Sequence, residues 1–304
     1  MVALRGGGMT SSLDIHDPLD IAGRIGEIAT RGMLFEVAVT PKPGMVDRCG
    51  SGVHQDMDYF TFMQSSAVLA QGFEVFAGIG LQWDDARPKI EMLEDLRASG
   101  QGYERRMLAA TGGVNTHRGL LFLMGILAAA VGNTWCRTKK CEIGELQRTV
   151  QDICRGLVDN ELRGKKTGEL TVGQKAFCDC GLTGIRGELE RGMPSLFDHG
   201  LPTLQAALQA GANTNDAGLD ALMAIMATLE DTVIWKRGGT PALALAQQQA
   251  ASVLSAGGAR SIAGRRLLDK MCCNFVAQNL SAGGAADVLA ATFSVNYWSS
   301  DLNC

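Results

Sequence analysis

Apolar residues recur at three- and four-residue spacing along most of this chain, and the stretches between these stripes are rich in glycine and charge. Asp17-Pro18 opens the first stripe with a capping side chain followed by proline at the first helical position. Leu19, Ile21, Ala22, Ile25, Ile28, Ala29, Met33 and Leu34 then share one face, and the pattern ends before Pro41. Asp56 is the expected cap of a second helix carrying Phe60, Met63, Ala67, Leu69, Ala70, Phe73 and Phe76, ended by Gly78 and Gly80. Asp84-Asp85 and Pro88 start a third, which the spacing breaks at Gly100, with a further helix over Tyr103–Ala110. From Leu120 to Val131 the next helix is apolar nearly all round, which marks a central, buried element. Further helices are expected over 143–162, 172–180, 201–210, 215–230, 241–256, 259–280 and 287–297. Thr232–Trp235 is the one β-type tetrad, short enough to be an extended turn instead. Strands and helices do not alternate, so a doubly wound sheet is excluded. The expectation is all-α: a single compact multi-helix domain over 17–304, its glycine-rich loops gathered at one active site, behind a flexible leader over 1–16 carrying Gly6-Gly7-Gly8.

Composition adds constraints on partners. Hydrophobic residues make up 46% and charged residues 20%, enough apolar material for a core and no sign of general disorder. A net charge of −4 leaves no basic footprint for nucleic acid, so an anionic ligand requires a local basic cluster or a cation. The nine cysteines are an odd number, Cys178-x-Cys180 and Cys272-Cys273 lack zinc spacing, and no secretory signal precedes them, which together predict reduced thiols in a cytoplasmic protein. The apolar run over 119–131 is shorter than the roughly 20 residues a bilayer span requires, so no membrane role is expected. A homodimer is the default oligomer.

The loops between helices carry the chemistry. Thr40-Pro41-Lys42-Pro43-Gly44 is stiffened by proline, so Lys42, and Arg48 beyond it, are expected to meet phosphate without ordering on binding. The alternative is a plain connection with solvated Lys and Arg. His54-x-Asp56-Met57-Asp58 brings hard oxygen donors to a helix start, a composition suited to Mg²⁺, against a reading as a cap and one surface Asp. Thr111-Gly-Gly-Val-Asn115-Thr116-His117-Arg118-Gly119 places donors at the mouth of the buried helix. The last group comprises Gly184-Ile-Arg186-Gly187-Glu188, Asp231 with Lys236-Arg237-Gly238-Gly239, and Ser281-Ala-Gly283-Gly284 with Asp287. No Walker loop, GxGxxG after a strand, HExxH or G-x-S-x-G is present. These residues by themselves define an all-α enzyme acting on a phosphorylated ligand with Mg²⁺.

In order along the chain, these segments resemble the triphosphoribosyl-dephospho-CoA synthase family. The resemblance rests on Glu36-Val37 with Thr40-Pro41-Lys42-Pro43-Gly44-Met45-Val46-Asp47, and on His54-x-Asp56-Met57-Asp58 with Phe62 and Ser65. It continues through Gly113 to Gly119, Gly184 to Glu188 with Gly192-Met193-Pro194, Asp231-Thr232 with Arg237-Gly238-Gly239, and Ser281 to Ala290. Arg118 stands where the family more often has Lys, which keeps the charge, and Val233 where it more often has Asn, which removes an amide. The resemblance implies transfer of triphosphoribosyl from ATP to 3′-dephospho-CoA with release of adenine. The product would pass to an enzyme that modifies the acyl carrier protein of citrate lyase or malonate decarboxylase. It also implies Mg²⁺ on the triphosphate, held by Asp56 and Asp58 with Glu36. Phosphate and substrate contacts would come from Lys42, Arg48, Asn115, Arg118, Arg186, Arg237, Gly238, Gly239, Ser281, Gly283 and Gly284. His54, His117 or Glu188 would supply the base or the adenine-side acid. A Mg²⁺-dependent hydrolase of nucleotides or ADP-ribose derivatives, and a non-catalytic CoA-binding scaffold, are the competing readings.

Overall fold

The apolar stripes fold as helices packed on a common core, and the computed structural model describes residues 18–164 and 170–303. In chain order the α-helices are α1 (Pro18–Ala38), α2 (Tyr59–Leu81), α3 (Met92–Ala110), α4 (Arg118–Thr138), α5 (Ile143–Ile153) and α6 (Val172–Cys180). They continue as α7 (Gly184–Glu190), α8 (Leu201–Gln209), α9 (Thr214–Met226), α10 (Thr232–Ser255), α11 (Ile262–Ala277) and α12 (Gly283–Asp301). No strand occurs among the described residues, only an isolated bridge between Asp47 and Gly50. The protein is all-α, as the spacing predicts. The leader, the Asp17 cap and the Lys165-Lys166 loop lie outside the described residues.

Helix α4 is buried continuously from Leu120 to Trp135 except Phe122, which fixes its place at the centre. It is long and apolar enough to cross a membrane by composition, and most of it is covered by protein. Helix α2 packs on α1, α3 and α4, while α12 packs on α1, α4 and α9. Glycine permits the closest of these approaches: a Cβ on Gly80 would strike the carbonyl of Ala129, and one on Gly132 the carbonyl of Ala77. The α2–α4 contact is therefore backbone against backbone.

Several boundaries differ from the spacing. The cap of α2 is Asp58, whose carboxylate accepts from Thr61 N–H at 2.8 Å in a reciprocal capping box, and Asp56 lies outside the helix. Helix α3 runs through Gly100 without a break, because Leu93, Leu96 and Met107 lie buried on the same helix and outweigh one glycine's propensity. The pattern over 143–162 ends early at Ile153, where Gly156 adopts φ 74° and turns the chain. Thr232–Trp235 is neither strand nor extended turn but the first turn of α10, capped by Asp231. Three N–H groups supplied by the ends of α10 and α12 make a β-branched run helical here. Inside α10, Gly239 (φ 69°, ψ −170°) breaks the ladder just ahead of Pro241, so the helix restarts where the sequence places a start.

Candidate active site

The N-termini of α10 and α12 are tied together by a single carboxylate. Asp231 accepts from Val233 N–H at 2.8 Å and Ile234 N–H at 3.3 Å in α10, and from Ala285 N–H at 2.9 Å in α12. Burial raises its pKa, against the pull of these donors. Gly284 leaves room for that carboxylate, and a Cβ on Gly283 would sit 3.5 Å from the Val233 methyl groups. An Asn at 233 would therefore set an amide against the start of α12, where this chain has methyl groups.

Asp287, one turn into α12, lies behind Gly119 of α4, where a Cβ would collide with its Oδ2. Its carboxyl accepts no hydrogen bond from the described residues. Burial and then the charges of Glu36 and Asp231 hold its pKa well above the ordinary carboxylate value. Glu36, at the end of α1, is buried and paired with Lys42, whose Nζ also donates to the Glu36 carbonyl at 2.8 Å. Burial raises the Glu36 pKa while Lys42 pulls it back. Lys42 thus closes a helix C-terminus. Its loop is fixed by Asp47, which accepts from Lys42 N–H at 3.0 Å, Thr40 Oγ1 at 2.7 Å and Cys49 N–H at 2.7 Å, around a cis Thr40-Pro41 bond.

His117 precedes α4 and is 2% exposed. Its Nδ1 lies 2.6 Å from Ser65 Oγ, which accepts from Thr116 Oγ1 at 2.7 Å. With Thr116 donating, the Ser65 proton goes to Nδ1, which sets the Nε2–H tautomer. Nε2 is buried with no hydrogen-bond partner among the described residues. Burial and the charge of Lys42 bring the His117 pKa down to about 3, so the ring is neutral.

Gly119 also lines a cavity of about 550 Å³. Phe76, Leu93, Leu96, Phe122 and Ile126 give it an apolar floor, and Arg97, Arg118 and Arg186 stand on its walls. Each arginine is held by a carboxylate: Arg118 Nε by Glu104 at 2.6 Å, Arg186 Nε by Glu161 at 2.5 Å, and Arg97 also by Glu161. Asn115 lines the cavity and accepts from Arg118 N–H at 3.1 Å, closing the start of α4. On the Ser281 side, His54 Nε2 lies 3.1 Å from Ser281 Oγ, and Asp56 Oδ1 4.0 Å from His54 Nδ1. Burial and nearby Arg237 lower the His54 pKa. Arg237 donates to Asn279 O and Oδ1, both at 3.0 Å.

The expected residues are thus brought together unevenly. Asn115, His117, Arg118, Gly283, Gly284 and Glu36 meet around α4 and α12, Arg186 stands on the cavity wall with Arg118, and His54, Ser281 and Arg237 form an adjoining cluster before Gly238-Gly239. Arg48 reaches instead to Asn215 Oδ1 at 3.1 Å. Glu188, expected as base or acid, accepts from Ser195 N–H at 3.0 Å and pairs with Arg191 at 3.4 Å, so its oxygens hold its own turn. Lys42, expected at phosphate, is 4% exposed and spent on Glu36. The three carboxylates expected at Mg²⁺ do not fit it together. Asp58 is a helix cap, Glu36 is neutralised by Lys42, and no group of three or more His, Cys, Asp or Glu side chains gathers at metal-binding separation among the described residues. Arg97, Glu104 and Glu161 were not expected at all, since on helical faces they read as ordinary surface charge. Asp231, Ser65 and Asp287 sit in the motifs but gave no sign of which would be left unpaired.

The fold defines an all-helical protein whose cavity has arginines on its walls and, against its Gly119, the carboxylate of Asp287. The chain belongs to the ATP:dephospho-CoA triphosphoribosyl transferase family, whose sequence model matches residues 22–303. A Vibrio cholerae protein named probable 2-(5″-triphosphoribosyl)-3′-dephosphocoenzyme-A synthase is 36% identical over 273 residues, 89% of this chain and 87% of that protein. A Citrobacter koseri protein of the same name is 38% identical over 266 residues, 88% of this chain and 87% of its own. In Salmonella choleraesuis a relative named as synthase 1 is 36% identical over 277 residues, 91% of both chains. No solved structure matches the chain.

Proposed function

We propose that the protein transfers the triphosphoribosyl group of ATP to 3′-dephospho-CoA, giving 2′-(5″-triphosphoribosyl)-3′-dephospho-CoA and free adenine. The arrangement that supports this reading most is a cavity lined by Gly119 with Arg97, Arg118 and Arg186 beside their partners Glu104 and Glu161, and with Asp287 set against the same glycine. A triphosphate is repelled by the carboxylates of Asp231 and Asp287 and suits Arg97, Arg118 and Arg186. Displacement at the ribose C1″ develops positive charge, as in glycoside hydrolysis, and carboxylates stabilise it. The triphosphate therefore lies toward the arginines and C1″ toward Asp287. The apolar floor takes a flat or aliphatic part of a substrate.

His117 offers a neutral Nε2–H in a buried site, a donor suited to a departing adenine nitrogen, which is a poor leaving group unaided. The triphosphate stays whole. Mg²⁺ enters this reading as the ion carried by the nucleotide. The product serves the prosthetic group of citrate lyase or malonate decarboxylase, in a cytoplasmic setting. Chromatography of an incubation with ATP, Mg²⁺ and 3′-dephospho-CoA tests it: adenine is expected only when both substrates are present. ADP, AMP or phosphate in place of adenine would instead establish a hydrolase.

A further inference from the structure

Among the buried or half-buried carboxylates of this region, one is set apart by its bonding. Glu36 is paired with Lys42, Asp47 holds two N–H groups and a hydroxyl, and Asp231 holds three N–H groups. Glu188 and Asp220 likewise accept backbone N–H groups, from Ser195 and Ala259. Asp287 has no such donor among the described residues, although removing a carboxylate from water without one is costly. Nor is the side chain sealed off: it is half-buried, and its Oδ2 abuts Gly119, which lines the cavity. Any side chain at 119 would fill the space this oxygen occupies. A carboxylate left without a donor at the edge of a substrate cavity is kept for a group that arrives with the substrate.

Resting on the reading above, we propose that Asp287 is the catalytic base that accepts the proton of the attacking ribose 2′-hydroxyl of dephospho-CoA. In that step the 2′-oxygen forms its bond to C1″ as the bond from C1″ to the adenine nitrogen breaks. The bonding pair leaves with adenine, and the hydroxyl proton goes to the Asp287 carboxylate. Adenine then takes up one proton at its ring, so no oxidant, reductant or further reactant is required. Glu36 and Asp231 help in two ways. Their charges favour the protonated form of Asp287 as it receives the proton, and they stabilise the cationic sugar between bond breaking and bond making. Gly119 is then a specificity position, since only glycine lets the hydroxyl and Oδ2 come within hydrogen-bond distance across the start of α4.

The test is Asp287→Asn, which keeps shape and removes basicity. Adenine release is expected to fall roughly 10²–10⁴-fold, the usual worth of a general base. Dissociation constants for ATP and dephospho-CoA should stay within about threefold, the span of a fraction of a kcal/mol. The melting temperature should be no lower than wild type, because the variant removes an unpaired charge beside two like charges. A second variant, Gly119→Ala, keeps the Asp287 carboxyl but fills the space its Oδ2 occupies, and should also lose turnover. Turnover of Asp287→Asn within tenfold of wild type would overturn the assignment. So would a loss of binding or melting temperature large enough to account for the fall. If wild type itself releases no adenine, the proposed reaction fails and the assignment falls with it; if wild type is active and the variant equally so, only the assignment falls.

Discussion

Single side chains here do different work from what their type announces. Lys42 looks like a phosphate ligand in sequence, but its ammonium ends α1 and neutralises Glu36, both groups being almost wholly covered. Removing one partner of a buried pair strands the other charge, at a cost of about 3–5 kcal/mol. Lys42→Met should therefore lower unfolding free energy by that amount in urea melts, and adding Glu36→Leu should recover most of it. His117 carries a pH signature of its own. Its folded pKa of about 3 lies below the unfolded value, so the fold favours the neutral ring. Stability from this group is full above the unfolded pKa of about 6.5 and declines as pH falls toward 3, by about 1.4 kcal/mol per unit within that window. Asp287 works in the opposite sense, since its raised pKa favours the protonated fold and penalises the ionised one. His117→Asn should flatten the acid side of the stability curve, measured by thermal melts between pH 6.5 and 4.

At the level of elements, the site is a matter of helix ends. Asp231 ties α10 to α12, so Asp231→Ala removes acceptors from three N–H groups and should cost about 1–2 kcal/mol for the cap alone, read by chemical denaturation. Gly80 and Gly132 set the separation of α2 from α4, so Gly80→Ala should destabilise by about 1–3 kcal/mol through overpacking in the same assay. Helix positions were largely legible in the sequence because a buried stripe on a 3.6-residue period is a strong signal, as α1, α4 and α9 illustrate. The misread pieces were those decided by tertiary bonds. Thr232–Trp235 has the composition of a strand and is helical because Asp231 caps it, and Gly100 stays within α3 because its neighbours are buried.

Across the whole molecule, residues far apart in sequence meet around Gly119, which lines the cavity with Arg97, Arg118 and Arg186 and abuts Asp287. The motifs identified which loops converge, and that much was readable from glycine beside charge at helix boundaries. Which charges are spent within the fold, as with Lys42, Glu188 and Asp58, was not readable, since pairing depends on packing between helices. The arginine wall was missed for the same reason: Arg97 and Glu161 meet across the cavity from separate helical segments. Cutting the wall at Arg186→Ala or Arg118→Ala should raise the KM for ATP by about tenfold or more, the worth of one charged hydrogen bond, with little change in melting temperature. In the proposed reaction the nucleotide is cleaved at its glycosidic bond and passed on with its triphosphate intact. Incubation of the protein with γ-³²P-labelled ATP and dephospho-CoA, followed by mass spectrometry of the labelled product, tests it most directly. Label carried on a species with the mass of triphosphoribosyl-dephospho-CoA is the predicted result; label released as phosphate or pyrophosphate, with dephospho-CoA unchanged, would contradict it.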